Sequence, residues 1–239
     1  MNIALWSGPR NVSTAMMRSW EARGDFAVTD EPLYAHYLLH TGIQHPGREE
    51  IIASQSVDPD KITSWLCGSP PGGKTHWLQK HMCHHLLDGM NDGWLTSLQH
   101  LFLIRDPIYV ISSYARTREN ITLQDLGYKE QLRILNRVVD MNGALPPIID
   151  SVDLLRDPGT VLSKACHQLG IRYTDKMMQW SPGLRSTDGC WAKHWYRSVS
   201  ESDSFQAHKP RPASVPRRYK DLLQEAEVFY KQLHRNRIR

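Results

Sequence analysis

The chain has 239 residues, 40% hydrophobic and 23% charged, which suits one large α/β domain and leaves too little for two. Its net charge of +4 is uneven: Lys209 to Arg239 carries nine Lys or Arg against three acids, and the rest twenty against twenty-two. The basic tail lacks any nucleic-acid motif, no run of eighteen apolar residues occurs, and no basic n-region opens the chain; a cytoplasmic protein without nucleic-acid or membrane partners is expected.

Asn2 to Trp6 reads as a short buried strand, Ser7 to Thr14 as a polar loop, and Ala15 to Arg23 as a helix with Met16, Met17 and Trp20 on its apolar side. A strand turning tightly into a helix aims backbone N–H groups at one spot, where the helix dipole adds partial positive charge. Ser13 and Thr14 add hydroxyl donors and Arg10 adds a full charge. The loop is therefore a candidate holder of phosphate or sulfate. It is not a Walker A loop: no second glycine follows Gly8 and no lysine precedes Ser13.

Phe26 to Val28 reads as a strand running into Thr29-Asp30-Glu31-Pro32, and Leu33 to His40 and Arg48 to Ser54 read as helices. Thr75 to Gln79 reads as a strand ending at Lys80-His81. The His81, Cys83, His84, His85 group holds metal-ligand residue types, but adjacent ligands on one short helix diverge, so no metal is expected. Cys67, Cys83, Cys166 and Cys190 form no CxxC pair and are expected as reduced thiols. Leu101 to Ile104 is the clearest buried strand, followed by Arg105-Asp106-Pro107 and a helix through Ala115. Leu123 to Met141 has helical periodicity, Pro147 to Ile149 reads as a strand, and Pro158 to Leu169 as a helix stopped by Gly170. This alternation argues a single doubly wound α/β domain over residues 1–239, its mostly parallel sheet flanked by helices. Residues 181–215 are expected as an irregular cap. Residues 216–239 are expected as a basic helix packed back through Leu222, Leu223, Ala226, Phe229, Tyr230 and Leu233.

A second anion site is expected at Arg105, which closes a strand at the end where ligands of open α/β sheets collect. Ser113, eight residues later, can join it if the helix runs alongside. Two anion sites at two strand ends resemble the pattern of the sulfotransferases that use 3′-phosphoadenylyl sulfate (PAPS), and the resemblance covers most of the chain. Pro9-Arg10-Asn11-Val12-Ser13-Thr14-Ala15 resembles the family's P-K-S-G-T-T-W loop for the 5′-phosphosulfate. Arg105-Asp106-Pro107 through Ser113-Tyr114 is similar to its R-N-P-x-D-x-x-x-S-Y motif for the 3′-phosphate. Lys80-His81 resembles its strand end bearing lysine and histidine. Val152 to Leu155 with Pro158 and Leu169-Gly170-Ile171 resembles a downstream E-D-L…P…L-G-I segment. Asp188 to Trp195, including Lys193, echoes the late G-D-W-K-x-H-F stretch. The chain departs from the family with Arg10 for lysine, Val12 for glycine, and only Arg185 to stand for the late R-K-G group.

The resemblance implies sulfuryl transfer from PAPS to a hydroxyl or amine of a small-molecule acceptor, with the product 3′-phosphoadenosine 5′-phosphate (PAP) and no metal. Pro9, Arg10, Asn11, Val12, Ser13, Thr14, Arg105, Ser113, Arg185 and Lys193 would hold the nucleotide. Arg10 and Lys80 would serve the leaving group. Glu31 is the first choice for the base that takes the acceptor proton, because several branches of the family use a glutamate at a similar place, and Pro32 favours an extended strand end that would face it to the crevice; His81 is the second, by its ordinary pKa and its resemblance to the histidine of the cytosolic branch. Two other readings stand beside this one: a P-loop-type small-molecule kinase, and a non-catalytic nucleotide-binding relative.

Overall fold

A computed structural model describes residues 1–208 and 214–239. Its sheet has strands β1 (Asn2–Ser7), β2 (Phe26–Asp30), β3 (His76–Met82), β4 (Gln99–Ile104) and β5 (Ile148–Asp150), all parallel, in the order β2-β3-β1-β4-β5. Both faces of the inner strands are covered, which is why β1 and β4 read as continuous apolar runs rather than alternating ones. Ile3 and Leu5 pack with Met16, Met17 and Trp20 of α1 (Ser13–Ala22) and with Leu162 and Ala165 of α9 (Pro158–Gln168). Ala4 and Trp6 face the other way, towards Ile134, Leu135 and Val138 of α7 (Tyr128–Asn142) and Leu233 of α12 (Lys220–Arg235). Helices α2 (Tyr34–Thr41), α3 (Arg48–Ser54) and α4 (Pro59–Leu66) fill the long β2–β3 connection.

The helical stretch from Leu123 is two helices. Gly127, at φ 72°, ends α6 (Leu123–Leu126) and opens α7. The break lets the chain pass against the β1 loop. A Cβ on Gly8 would come within 2.9 Å of the Leu126 carbonyl oxygen, so glycine is needed there for the close approach. Behind the loop, Gln131 of α7 donates its Nε2 to the carbonyls of Trp6 (3.1 Å) and Leu103 (3.0 Å), bridging β1 and β4.

The basic C-terminal segment does pack back. Tyr230 donates to Asp150 (2.8 Å), Arg237 pairs with Asp153 (2.7 Å), and the Ile238 N–H bonds the Ile148 carbonyl (2.8 Å). The expected irregular cap contains two short helices, α10 (Ala192–Trp195) and α11 (Arg197–Ser200). Its residues 209–213, with the start of the basic tail, lie outside the described residues. Strand β3, expected over Thr75 to Gln79 with its end at Lys80-His81, runs through both residues to Met82. This extension determines which side chains reach the site.

Candidate active site

At the carboxyl ends of β1, β3 and β4 lies a cleft of about 470 Å³. The β1–α1 loop forms its floor. Asn11 fastens the loop: its Nδ2 donates to the Leu103 carbonyl (3.0 Å) and its Oδ1 accepts from Val12 N–H (2.9 Å). Val12, the residue that caps α1, offers no side-chain acceptor, and the first turn holds no acid. The N–H groups that open α1 are thus left to whatever enters the cleft, at the positive end of the helix dipole. Arg10 sits at φ 54°, a left-handed conformation uncommon outside glycine. Its guanidinium donates to Thr117 Oγ1 (2.9 Å) and lies 5.3 Å from the Tyr114 ring centre.

Helix α5 (Pro107–Tyr114) follows β4 and is closed differently. Asp106 caps it, accepting from Ile108 N–H (3.0 Å). The cationic side chain at this strand end is Arg105. Its Nη1 donates to the Arg10 carbonyl (2.7 Å), while its own carbonyl accepts from Tyr128 (2.7 Å). Burial pushes the Arg105 guanidinium below its usual pKa, a sign that desolvation of its charge is not offset. Among the described residues neither Arg10 nor Arg105 has a carboxylate within ion-pair distance, and both line the cleft with Ser113.

Another part of the cleft wall is built around Lys80, whose side chain is 1% exposed. Its ammonium contacts Asp30 Oδ1 (2.6 Å), Glu31 Oε1 (2.6 Å) and the Tyr196 hydroxyl (2.8 Å), so all three of its N–H donors are engaged. Tyr196 in turn donates to Asp30 Oδ2 (2.6 Å). Burial raises the Glu31 pKa, opposed by the Lys80 charge and reinforced by Asp30. The carboxylates and the phenol push the Lys80 pKa up against the effect of burial. Glu31 follows β2 at φ 41°, a left-handed backbone rather than the extended one expected before Pro32. Its N–H bonds the Lys80 carbonyl (2.8 Å) and its carbonyl accepts from Tyr34 N–H (3.0 Å), which holds the strained backbone in place. A carboxylate on the cleft wall with its pKa raised by burial suits a general base.

A sulfotransferase-domain family model matches residues 1–237. The chain belongs to the sulfotransferase domain family. Two Arabidopsis thaliana proteins named branched-chain-amino-acid aminotransferase-like protein 1 and 2 are 34% and 32% identical to this sulfotransferase domain, over 94% and 95% of it. The match spans only 40% of each of those longer proteins. Among solved structures, the sulfotransferase domain of the Synechococcus PCC 7002 olefin synthase has a TM-score of 0.50 at 17% identity, covering 96% of this chain and 94% of that one. This likeness shows the shared fold.

Of the predicted site residues of this sulfotransferase domain, Pro9 to Thr14, Glu31, Lys80, Arg105 and Ser113 line the cleft. His81, Arg185 and Lys193 do not. His81 follows Lys80 inside β3, and consecutive strand residues point to opposite faces; its ring stacks on Trp6 at 4.5 Å in the core behind the sheet. Neither of its ring nitrogens has a partner, and burial lowers its pKa to about 3. It is thus neither at the cleft nor an exposed helix-start histidine. Arg185 pairs with Glu21 and donates to the Ser181 carbonyl (3.0 Å), securing the cap to α1 beside the buried Arg18–Asp188 pair (2.6 Å). Lys193 pairs with Glu50 at the surface. Lys80, with every donor committed, has none left for a leaving group. Sequence reasoning missed Asp30, Tyr196 and the wall formed by Tyr34, His45, His84, His85, Arg118 and Trp195. Asp30 stood next to Glu31 and was open to notice. Tyr196, 116 residues from Lys80, gave no local signal. Among the described residues no group of three His, Cys, Asp or Glu side chains could hold a metal ion.

Proposed function

We propose that this sulfotransferase domain transfers a sulfuryl group from PAPS to a hydroxyl or amine of a small-molecule acceptor and releases PAP. One observation carries the reading: Arg10 and Arg105, without carboxylate partners among the described residues, line one cleft with a helix N-terminus that no side chain caps. Positive charge left uncompensated in a partly buried cleft calls for an anionic ligand, and two such groups from two strand-to-helix turns suit a nucleotide with phosphates at two positions. Arg10, Ser13, Thr14 and the α1 N–H groups would hold the 5′-phosphosulfate, and Arg105 with Ser113 the 3′-phosphate. PAPS supplies the transferable sulfuryl group. The chain's own residues stabilise the negative charge that builds on the leaving phosphate. Glu31 takes the acceptor proton through the oxygen that Lys80 leaves free. Lys80, Asp30 and Tyr196 act as positioning residues that fix the Glu31 carboxylate.

Calorimetry with PAP in the absence of magnesium, against ATP with magnesium, tests the donor site. Binding of PAP and no response to ATP–magnesium is expected; the reverse would establish the kinase reading. Incubation with PAPS and a panel of acceptors then tests transfer. A chain that binds PAP and turns over with no acceptor would be the non-catalytic relative.

A further inference from the structure

Glu31 presents one carboxylate oxygen to Lys80 and the other, Oε2, to Nδ1 of His85 at 3.9 Å. That gap is too long for a hydrogen bond. The His85 Nδ1 is nevertheless buried and has no partner among the described residues, a state that folded proteins rarely leave unmet. The ring cannot turn away to find one: it is sandwiched between Tyr34 and Tyr37, with centroids 4.6 Å away on each side. Glu31 and His85 both line the cleft. A hydroxyl oxygen about 2.8 Å from each atom would satisfy both, because two such contacts span more than the gap.

We propose that the acceptor docks between Glu31 Oε2 and His85 Nδ1, and that this arrangement selects alcohols over amines. The proposal rests on reading Glu31 as the base. A carboxylate facing Nδ1 favours the tautomer with the proton on that nitrogen, and burial keeps the ring uncharged. A hydroxyl then fits the site completely. Its proton points to Oε2, one lone pair accepts from Nδ1–H, and the second attacks sulfur. The new O–S bond forms as the bond from sulfur to the 5′-phosphate oxygen breaks. That electron pair leaves on PAP, and the acceptor proton ends on Glu31. A neutral amine has a single lone pair. If the lone pair accepts from His85 it cannot attack; if it attacks, the buried N–H is left unpaired, which is how a polar site rejects an analogue.

Para-alkyl phenols and matched para-alkyl anilines, both uncharged at neutral pH, test this with PAPS as donor. The wild-type chain is expected to favour the phenol in kcat/KM by on the order of 10²-fold. His85→Phe keeps the stack between the tyrosines but removes the N–H. It is expected to bind PAP as the wild type does and to lose most of that preference through a fall in phenol turnover. Equal use of both acceptors by the wild type, or an intact preference in His85→Phe, overturns the proposal. Imidazole nitrogen NMR of the ligand-free chain needs neither acceptor nor PAP: a proton on His85 Nδ1 supports the arrangement, and one on Nε2 overturns it. Calorimetry with PAP alongside separates the two ideas, because a chain that binds no PAP loses the donor assignment while the His85 tautomer still decides the acceptor geometry.

Discussion

The proposed anion end of the cleft carries positive charge that no side chain among the described residues neutralises, whereas the proposed base end surrounds its one ammonium with two carboxylates and a phenol. The first is made of backbone N–H groups and guanidiniums from two strand-to-helix turns. The second joins β2, β3 and the end of α10, elements that lie far apart in the chain. Charge left open marks where a ligand supplies the missing partner. Charge closed internally fixes the direction of a side chain, here Glu31, at the cost of burying ions. One cleft thus holds a binding surface and a rigid support for chemistry.

The largest expected effect follows from opening the closed end. Lys80→Met leaves Asp30 and Glu31 buried together without a cation and should cost roughly 3–5 kcal/mol of stability in urea unfolding. The pair must then take up a proton, so the variant should lose least at low pH and most above the ordinary carboxylate range. Equal loss at all pH values would mean the cluster is not charged as described. Next comes Glu31→Gln, expected to keep PAP affinity while turnover falls by roughly 10²–10⁴. Because burial raises the Glu31 pKa and only the deprotonated acid accepts a proton, wild-type kcat/KM should climb with pH through a limb above the usual carboxylate range. That limb should vanish in the variant.

A smaller effect probes the open end. Arg105→Ala should weaken PAP by roughly 1.5–3 kcal/mol more than it weakens adenosine 5′-phosphosulfate, which lacks the 3′-phosphate; equal losses would remove Arg105 from that phosphate. The smallest effect on chemistry is expected at a residue belonging to neither end. His81→Leu should leave turnover unchanged. The folded-state pKa of His81 is lowered to about 3, so the unfolded chain binds its proton first as pH falls below about 6.5. Wild-type stability therefore drops with acidification across that window, and the variant's acid-side slope should be shallower by one proton. Turnover lost in His81→Leu without a change in stability would return the histidine to the site.

Much of the anion end was legible because its determinants are local. Gly8, Arg10, Ser13 and Thr14 lie within one turn, and Arg105 and Ser113 within one strand-to-helix passage, so spacing along the chain approximates spacing in the fold. The expectation failed at His81 for a reason of phase. Reading Lys80-His81 as the strand's end placed both at the cleft, whereas the strand runs on to Met82 and sends the two side chains to opposite faces. The break at Gly127 was hidden because the apolar spacing of helical residues runs on through it.

Residue pattern alone was enough for the alternation of strands and helices, the parallel sheet and the two strand-end turns, since hydrophobic period and turn chemistry are written into neighbouring residues. The closure of Lys80 by Asp30 and Tyr196, the use of Arg185 to fasten the cap, and the wedging of His85 between Tyr34 and Tyr37 came only with folding. Those contacts bring together side chains from distant elements, and neither the direction of a side chain nor the dielectric around it exists until the core has packed.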